Sequence, residues 1–471
     1  MNKKHLLVRI LLVILAAAVN IAILRLPTDY SNENIAFWMT GQSDQAFTAR
    51  LYYLRASDPE GLEYNEGEVR QAGYDRTGEK LDMGFSIPAD TVKIRLDLCD
   101  RAGQTIRVEN LHLDSETALL NTYDLFEDTA EVKGVSIGPG EDGFVVITSE
   151  DDNQIILKDV DAENTLRVIT NAKSRGVKIQ RLLLCLLTDL VALLLILTLR
   201  SFMIVPREVL QNRGLIFRLA KNDFKTRFAG SLFGTIWAFV QPIVTVFVYW
   251  FVFEKALNAG TQGTKAGIAV PFVLWLLGGL VPWFFFSDAF TTGTGVMMEY
   301  SYLVKKVVFN ISCLPIVKIV SAFFVHLFFI AFTIFMYTLY GYYPDLYMIQ
   351  MLYYTFCMFV LVMGLTYLFC SINVFFRDTA QIVNIIMQVG VWFTPIMWNI
   401  DAMNLSTPVR VLLKLNPMYY VVMGYRDALI NQNWFWQRPN VTIYFWAVTI
   451  LIFAVGTTIF RRLKVHFADV L

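Results

Sequence analysis

The sequence predicts a polytopic α-helical membrane protein with an inserted all-β, sandwich-like extracytoplasmic domain. Of its 471 residues, 55% are hydrophobic and only 17% are charged, whereas soluble globular proteins average about 25% charged residues. The charges are also unevenly distributed. Residues 28–180 carry 29 acidic and 15 basic side chains, a net charge of −14, and the rest of the chain carries +14. A water-exposed acidic domain and a basic membrane part explain both observations.

Eight runs with few or no charges are long enough to cross a bilayer, which takes about 20 apolar residues in a helix. Two of them lie at residues 6–26 and 182–199, and six follow in the C-terminal half. The six are bracketed by residues 227/254, 265/288, 318/345, 345/377, 378/401 and 439/461. We therefore expect one span within residues 1–27, a second within 181–204 and a six-span core within 230–471.

Basic residues indicate how the spans are oriented. Lys3, Lys4 and Arg9 precede the first span, so the positive-inside rule places the N-terminus in the cytoplasm. Residues 28–180 then lie outside, and the C-terminus is cytoplasmic as well. The stretch AAAVN at residues 16–20 resembles a signal-peptidase site, and whether the first span is cleaved there stays open.

Residues 28–180 show the pattern of an antiparallel β-sandwich. Segments such as VKIRLDLCD and GFVVITSE alternate apolar and polar residues, and Gly, Asp and Asn separate them. A sheet face of such a domain binds glycan through aromatic and carboxylate side chains, or else the domain is a passive spacer. Both interpretations stay open. The aromatic candidates for glycan contact are Trp38, Tyr52, Tyr53, Tyr64 and Tyr74.

The basic segment at residues 205–229 predicts a helix on the membrane surface. In GLIFRLAKNDFKTRF, Arg218, Lys221 and Lys225 recur at helical spacing on one face, and apolar residues cover much of the rest. Lys and Arg on this face either hold an anionic lipid headgroup by charge-assisted hydrogen bonds or serve as ordinary positive-inside anchors.

Six motifs from residue 207 onward carry a resemblance to a known family. They are AKNDFKTRFAGSLFGTIWAFVQPIVTVFVYWFVF, LLGGLVPWFFFSDAFTTGT, YLVKKVVFNISCLPIVKIVSAF, SINVFFRDTAQIVNIIMQVGVWFTPIMW, LNPMYYVVMGYRDALI and FRRLKVHFADVL. In this order and spacing they resemble the permease subunits of type-2 ABC exporters of polysaccharide, such as the O-antigen, capsule and teichoic-acid exporters. The sequence departs from that family in its N-terminal outer domain and in Asp288, where a neutral residue is expected.

The resemblance implies a transport permease of the bacterial cytoplasmic membrane, not an enzyme. It implies a homodimer with two copies of a nucleotide-binding ATPase subunit and a lipid-linked polysaccharide as substrate. No cofactor is expected on this chain, and ATP and Mg are expected on the partner subunit. Nucleic acid is not an expected partner. An exporter of lipids or drugs is the alternative within transport, and a membrane-embedded glycan-modifying transferase is the alternative outside it.

The resemblance also assigns roles to residues. A coupling helix at 296–312 would contact the ATPase, and residues 401–440 would form a re-entrant outer segment. The expected ATPase-coupling residues are Glu299, Tyr300, Leu303, Lys305 and Lys306. Those expected at the lipid-headgroup entrance are Arg218, Lys221, Lys225, Arg227 and Arg377. Aromatic side chains expected to line the channel are Tyr249, Trp250, Phe253, Trp283, Phe284, Trp392 and Phe393, and outer-gate residues are Pro417, Tyr420 and Arg426.

Several kinds of site are missing from the sequence. No G-x-x-x-x-G-K-[ST] loop occurs, so the usual ATP phosphate cradle is absent. The four histidines are scattered, the five cysteines show no metal-ligand spacing, and we expect no metal site. Asp189 and Asp288 are carboxylates within predicted spans. Because a charge is costly to bury there, we expect each to have either a function or a polar contact near the membrane surface.

Overall fold

The computed structural model describes residues 3–25, 34–55, 64, 69–75, 77–88, 91–98, 102–115, 122–124, 129–139, 143–148, 154–157, 162–227, 229–256, 264–265, 268–305, 310–400 and 407–471. The chain divides into two compact units. Residues 1–24, 184–399 and 410–471 form one, here called the membrane unit, and residues 25–183 and 400–409 form the other, the β unit. The predicted fold class, a helical membrane core with an N-terminal β region, is confirmed.

The β unit contains eleven strands in the described residues, arranged in two antiparallel sheets. The strands are β1 Asn34–Gln42, β2 Phe47–Arg55, β3 Val69–Tyr74, β4 Leu81–Pro88, β5 Thr91–Asp97, β6 Thr105–Ser115, β7 Thr122–Asp124, β8 Thr129–Lys133, β9 Val135–Pro139, β10 Gly143–Thr148 and β11 Gln154–Leu157. The first sheet has the order β4-β1-β6-β10-β9, with β7 also paired to β6. The second sheet has the order β3-β2-β5-β11-β8.

One hydrophobic core holds the two sheets together. Alternate residues of β1 and β4, such as Phe37, Met39 and Phe85, are buried, and they share this core with Leu51 of β2 and Leu96 of β5. Successive side chains in a strand point to opposite faces, so the residues between them lie on the outer faces of the sheets. The alternation of apolar and polar residues in the sequence therefore reflects one sheet face that is buried in the core and one that is not.

The membrane unit is built from helices. The helices of the chain are α1 Lys3–Arg25, α2 Ala162–Gln211, α3 Arg213–Thr226, α4 Trp237–Trp250, α5 Phe272–Glu299, α6 Ser301–Val304, α7 Leu314–Leu339, α8 Gln350–Phe375, α9 Thr379–Phe393, α10 Thr407–Lys414, α11 Pro417–Arg426, α12 Pro439–Leu463 and α13 Phe467–Val470. A two-residue hairpin pair, β12 Thr264–Lys265 and β13 Ile268–Ala269, precedes α5. A large core cluster joins α5, α7, α8, α11 and α12.

Seven helical segments in the described residues are long and apolar enough to span a membrane, against the eight runs counted in the sequence. The run between residues 378 and 401 accounts for the difference. Its helix, α9, has 15 residues and ends at Phe393. Thr394, which precedes Pro395, is extended with φ −90° and ψ 121°, because the proline ring disfavours helical geometry in the residue before it.

Two glycines allow α8 and α12 to approach each other closely. A Cβ atom at Gly364 would lie 2.9 Å from the backbone N and Cα of Phe453, and one at Gly456 would overlap the carbonyl oxygen of Gly364. Small residues at such crossings let helix backbones come into contact within a membrane. This packing fixes α8, which shares the large core cluster with α5 and α7.

Candidate functional site

A cavity of about 910 Å³ lies between α4, α5, α7 and α9 of the membrane unit. Aromatic and polar residues line it together with aliphatic ones. The aromatic residues include Trp237, Tyr249, Trp283, Phe284, Phe285, Phe329 and Trp392, and the polar residues include Gln241, Thr245, Ser287, Thr291, His326, Gln381, Asn384 and Gln388. Side-chain amides and hydroxyls both donate and accept hydrogen bonds, so the cavity can contact a polar, uncharged ligand.

Helical periodicity places the polar side chains in the cavity. On α9, Gln381, Asn384 and Gln388 are separated by three and four residues, so they share one face. Exposed isoleucines at 382, 385 and 386 cover the other side of that helix. On α4, Gln241 and Thr245 are four residues apart and face the cavity in the same way. The spacing of these polar residues is a sequence signal that the prediction from aromatic residues alone missed.

Four of the seven aromatic residues expected to line the channel lie in the wall of this cavity, and three do not. Tyr249, Trp283, Phe284 and Trp392 line it. The remaining three, Trp250, Phe253 and Phe393, are outside its lining. Phe253 stacks on Phe272 with ring centres 5.7 Å apart. Aromatic content near a span does not distinguish the residues that face the cavity, and the channel-lining role of all seven stays a prediction.

Arg227 and Asp288 form an ion pair at the edge of the cavity. Arg227 Nη1 lies 2.8 Å from Asp288 Oδ2, and Arg227 Nη2 donates to Asp288 Oδ1 in the same two-pronged contact. The hydrogen bonds that Arg227 donates to Asp288 raise the pKa of Arg227. Arg227, expected to meet a lipid headgroup, is thus engaged by a carboxylate of α5, and Asp288 has a partner.

The other residues expected at the entrance lie on exposed surfaces. On α3, Arg218, Lys221 and Lys225 are exposed, and Ile216, Ala220 and Asp223 are buried on the opposite face. The amphipathic pattern predicted for this segment is therefore present. Arg377, in the turn between α8 and α9, is exposed as well. Their contact with a lipid stays a prediction.

A buried charge cluster, made of Asp223, Lys318, Glu299 and Tyr300, connects α3 to α5 and α7. Lys318 Nζ donates to Asp223 Oδ1 at 2.6 Å and to Glu299 Oε1 at 2.7 Å, and Tyr300 donates to Asp223 Oδ1 at 2.7 Å. Asp223 and Lys318 are only 4% and 7% exposed. Burial opposes ionisation of Asp223, but the bonds from Lys318 and Tyr300 outweigh it and keep the pKa of Asp223 below its ordinary value.

The expected coupling segment has a different form from the helix predicted at 296–312. Helix α5 continues to Glu299, and α6 has only four residues. Glu299 and Tyr300 belong to the buried charge cluster through their bonds with Lys318 and Asp223, and Leu303 packs against a small apolar core. Tyr302, which the sequence interpretation passed over, and Lys305 are exposed. Lys306 lies outside the described residues.

The residues expected at an outer gate all belong to α11, which is largely buried. Arg426 is 3% exposed, donates to the carbonyl oxygens of Pro395 and Ile396 at 2.8 and 2.7 Å, and stacks 3.4 Å from the ring centre of Trp275. Pro417 begins the helix, and the hydroxyl of Tyr420 lies 3.0 Å from that of Thr442. At eight and ten residues, α10 and α11 are too short to span a bilayer.

Two further polar residues of the spans have partners. Asn20 Nδ2 donates to Asp189 Oδ1 at 2.8 Å, which joins α1 to α2. His326 Nε2 lies 3.0 Å from the hydroxyl of Tyr425, a contact between α7 and α11. Across the described ranges, no group of three His, Cys, Asp or Glu side chains has the arrangement of a metal site.

The long apolar helices around a polar and aromatic cavity are those of a multi-pass membrane protein. Residues 214–430 match the family model described as ABC-2 type transporter. Over these residues the membrane unit is similar to the ABC-2 type transporter family.

Similar proteins include the O-antigen export system permease protein RfbA of Myxococcus xanthus. It is 24% identical over 263 residues, which are 56% of this chain and 97% of the relative. Two proteins of the same description from Klebsiella pneumoniae are each 24% identical over 273 residues, 55% of this chain and 97% of the relative.

Proposed function

We propose that this chain is the membrane-spanning subunit of an ABC exporter that moves a lipid-linked polysaccharide out of the cytoplasm. The observation that carries the proposal is the similarity to O-antigen export permeases over 97% of their length. The chain works with a separate ATPase, because it contains no phosphate-binding loop of its own.

The chemistry of the cavity supports a glycan as cargo. Sugar hydroxyls exchange hydrogen bonds with amides and hydroxyls, which Gln241, Asn384 and Gln388 supply. The faces of sugar rings pack on aromatic rings without requiring a single hydrogen-bond pattern, so repeating units can slide past. The Arg227–Asp288 pair leaves the edge of the cavity without a net charge.

The proposal includes an orientation and an assembly. The basic α3 helix and the exposed Tyr302 and Lys305 face the cytoplasm, where two ATPase copies dock on a homodimer of this chain. The β unit faces the opposite side of the cytoplasmic membrane. Positive-inside charge supports this arrangement, and the resemblance to polysaccharide exporters supports the stoichiometry.

Restoration of export tests the proposed cargo. The chain and its ATPase are expressed in cells that synthesise a lipid-linked O-antigen but lack their own permease, and surface glycan is measured. We expect export to be restored. Trp392→Ala should reduce it at least about tenfold, a loss of about 1.4 kcal/mol, because Trp392 lines the cavity. Phe393→Ala is the matched control, since Phe393 is equally exposed, outside the cavity lining and on the same helix.

The outcomes of this experiment separate the alternatives. Equal losses in both variants would contradict a glycan path through the cavity. Export of a lipid or a drug without any glycan would replace polysaccharide as the cargo. The purified chain alone should hydrolyse no ATP, and turnover without a partner would contradict the assignment as a permease.

A further inference from the structure

The five aromatic side chains marked as glycan candidates in the β unit have very different surroundings. Tyr53 and Tyr74 are buried in the core between the sheets, so neither can touch a ligand. Tyr52 and Tyr64 lie 4.2 and 5.3 Å from the guanidinium of Arg95, which already uses a face of each ring. This leaves Trp38.

Trp38 lies on the outer face of the first sheet. Its neighbours Phe37 and Met39 are buried in the core, so the indole of Trp38 points to the opposite side. Gly84 is its direct partner on β4. A Cβ atom at Gly84 would lie 2.5 to 3.0 Å from three indole carbons. The half-buried ring therefore lies across the neighbouring strand, in the space that any larger side chain would fill.

Hydrogen-bond acceptors lie beside the indole on the same face. Thr40 follows two residues later on β1 and donates to Asp82 Oδ1 at 2.7 Å. Glu109 pairs with Thr40 across β6 and accepts a bond from Lys80 at 2.7 Å. Each carboxylate has more lone pairs than these bonds use. The pairing of β1 with β6 also shifts register between Trp38 and Thr40, and such bulges re-aim side chains beside binding sites.

We propose that Trp38, Gly84, Thr40 and Asp82 form a binding site for a neutral pyranose chain. The weakly positive C–H groups of a sugar ring pack on the negative face of the indole, and the sugar hydroxyls donate to the carboxylates. Asp82 repels uronic acids and other anionic sugars by like charge, whereas Glu109 is neutralised by Lys80. The inference rests on the proposed function only for the source of the glycan, which is the exported chain itself.

The test uses the full-length chain in lipid nanodiscs, with soluble glucan, mannan and galactan oligosaccharides and with polygalacturonate as the anionic comparison. Isothermal titration and saturation-transfer NMR measure binding. We expect the wild type to bind at least one neutral oligosaccharide and to bind polygalacturonate more weakly. Trp38→Ala and Gly84→Val should each weaken binding about tenfold or more, equivalent to about 1.4 kcal/mol, and Trp38→Phe should retain part of it.

Tyr52→Ala is the matched control, because Tyr52 is an outer-face aromatic of the other sheet, stacked with Arg95. Binding in this variant should be unchanged. The site is wrong if no neutral oligosaccharide binds, if Tyr52→Ala costs as much as Trp38→Ala, or if polygalacturonate binds as tightly. If the wild type restores export yet binds no glycan, this site fails and the proposed function stands. If the wild type binds glycan through Trp38 but restores no export, this site stands and the proposed function fails.

Discussion

Lys318 is the residue whose loss should destabilise the membrane unit most clearly. Lys318→Met removes the partner of a carboxylate that is 4% exposed, and breaking one side of a buried ion pair costs about 3–5 kcal/mol. Glu299→Gln is the matched control, because it changes the other partner of the same ammonium group. The Glu299 side chain is 54% exposed, so we expect a loss of at most about 1 kcal/mol. Denaturant unfolding of the purified chain measures both, and equal losses would contradict this assignment.

The pKa of Asp223 adds a prediction about pH. The carboxylate is ionised in the folded chain, with its pKa held below the ordinary value by Lys318 and Tyr300 against the effect of burial. A lowered pKa stabilises the fold fully above the ordinary value of about 3.9 and loses its effect only as the pH falls through the folded-state pKa. The loss of stability in Asp223→Asn should therefore be constant between about pH 5 and 8. A loss that shrinks within this window would mean that Asp223 is already protonated there.

Single residues show where sequence interpretation stops. In the sequence prediction, Lys318 marked the boundary of a span. In the structure it lies within α7 and bonds to Asp223, which is 95 positions earlier in the chain. Asp288 also marked a predicted boundary, but it lies within α5, which continues for eleven residues beyond it. A charge within a helix is tolerated when a partner neutralises it. Local patterns do not reveal a partner that comes from a distant helix.

At the scale of elements, contact between α8 and α12 depends on two glycines. Gly456→Ala places a methyl group against the carbonyl oxygen of Gly364 and 3.2 Å from the backbone N of Leu368. Backbone atoms cannot move aside as a flexible side chain does, so the helices must separate. Overpacking of this kind costs about 1–3 kcal/mol, which should appear as a lower unfolding midpoint.

Gly295→Ala is the control for that substitution. Gly295 lies within α5, and no atom approaches within 4 Å of the position of its Cβ. Alanine is favoured over glycine in a helix by about 1 kcal/mol, so this change should leave stability equal or higher. If both variants lose stability alike, helix propensity or detergent effects, and not the α8–α12 contact, explain the result.

The periodicity of apolar residues predicted most helices and strands, but it did not predict that a proline shortens α9. Long apolar runs predicted α5, α7, α8 and α12, and the alternation of apolar and polar residues predicted the β-sandwich. The run ending at residue 401 was counted as a full span because its composition is apolar, although Pro395 ends α9 early. The cavity was only partly predictable. Its amides are visible as a helical stripe on α9, but which aromatic residues join them depends on how α4 and α5 pack.

At the scale of the whole molecule, the Lys and Arg residues beside the spans are expected to orient the chain. Residues 28–180 carry a net charge of −14 and the rest carries +14. Basic segments resist translocation, so the acidic β unit should lie outside and α3 inside. A single exposed cysteine in each part tests this, because a membrane-impermeant maleimide labels only thiols on the outer side of intact spheroplasts.

Lys80→Cys and Tyr302→Cys form a matched pair for this measurement. Both side chains are more than half exposed, in the β unit and in α6 respectively. Cys313, Cys357 and Cys370 are buried, and because the chain also contains Cys99 and Cys185, labelling of the wild type is measured and subtracted as the background. We expect Lys80→Cys to react in intact spheroplasts and Tyr302→Cys to react only after permeabilisation. The reverse pattern would invert the topology and, with it, the assignment of α6 to the side where the ATPase docks.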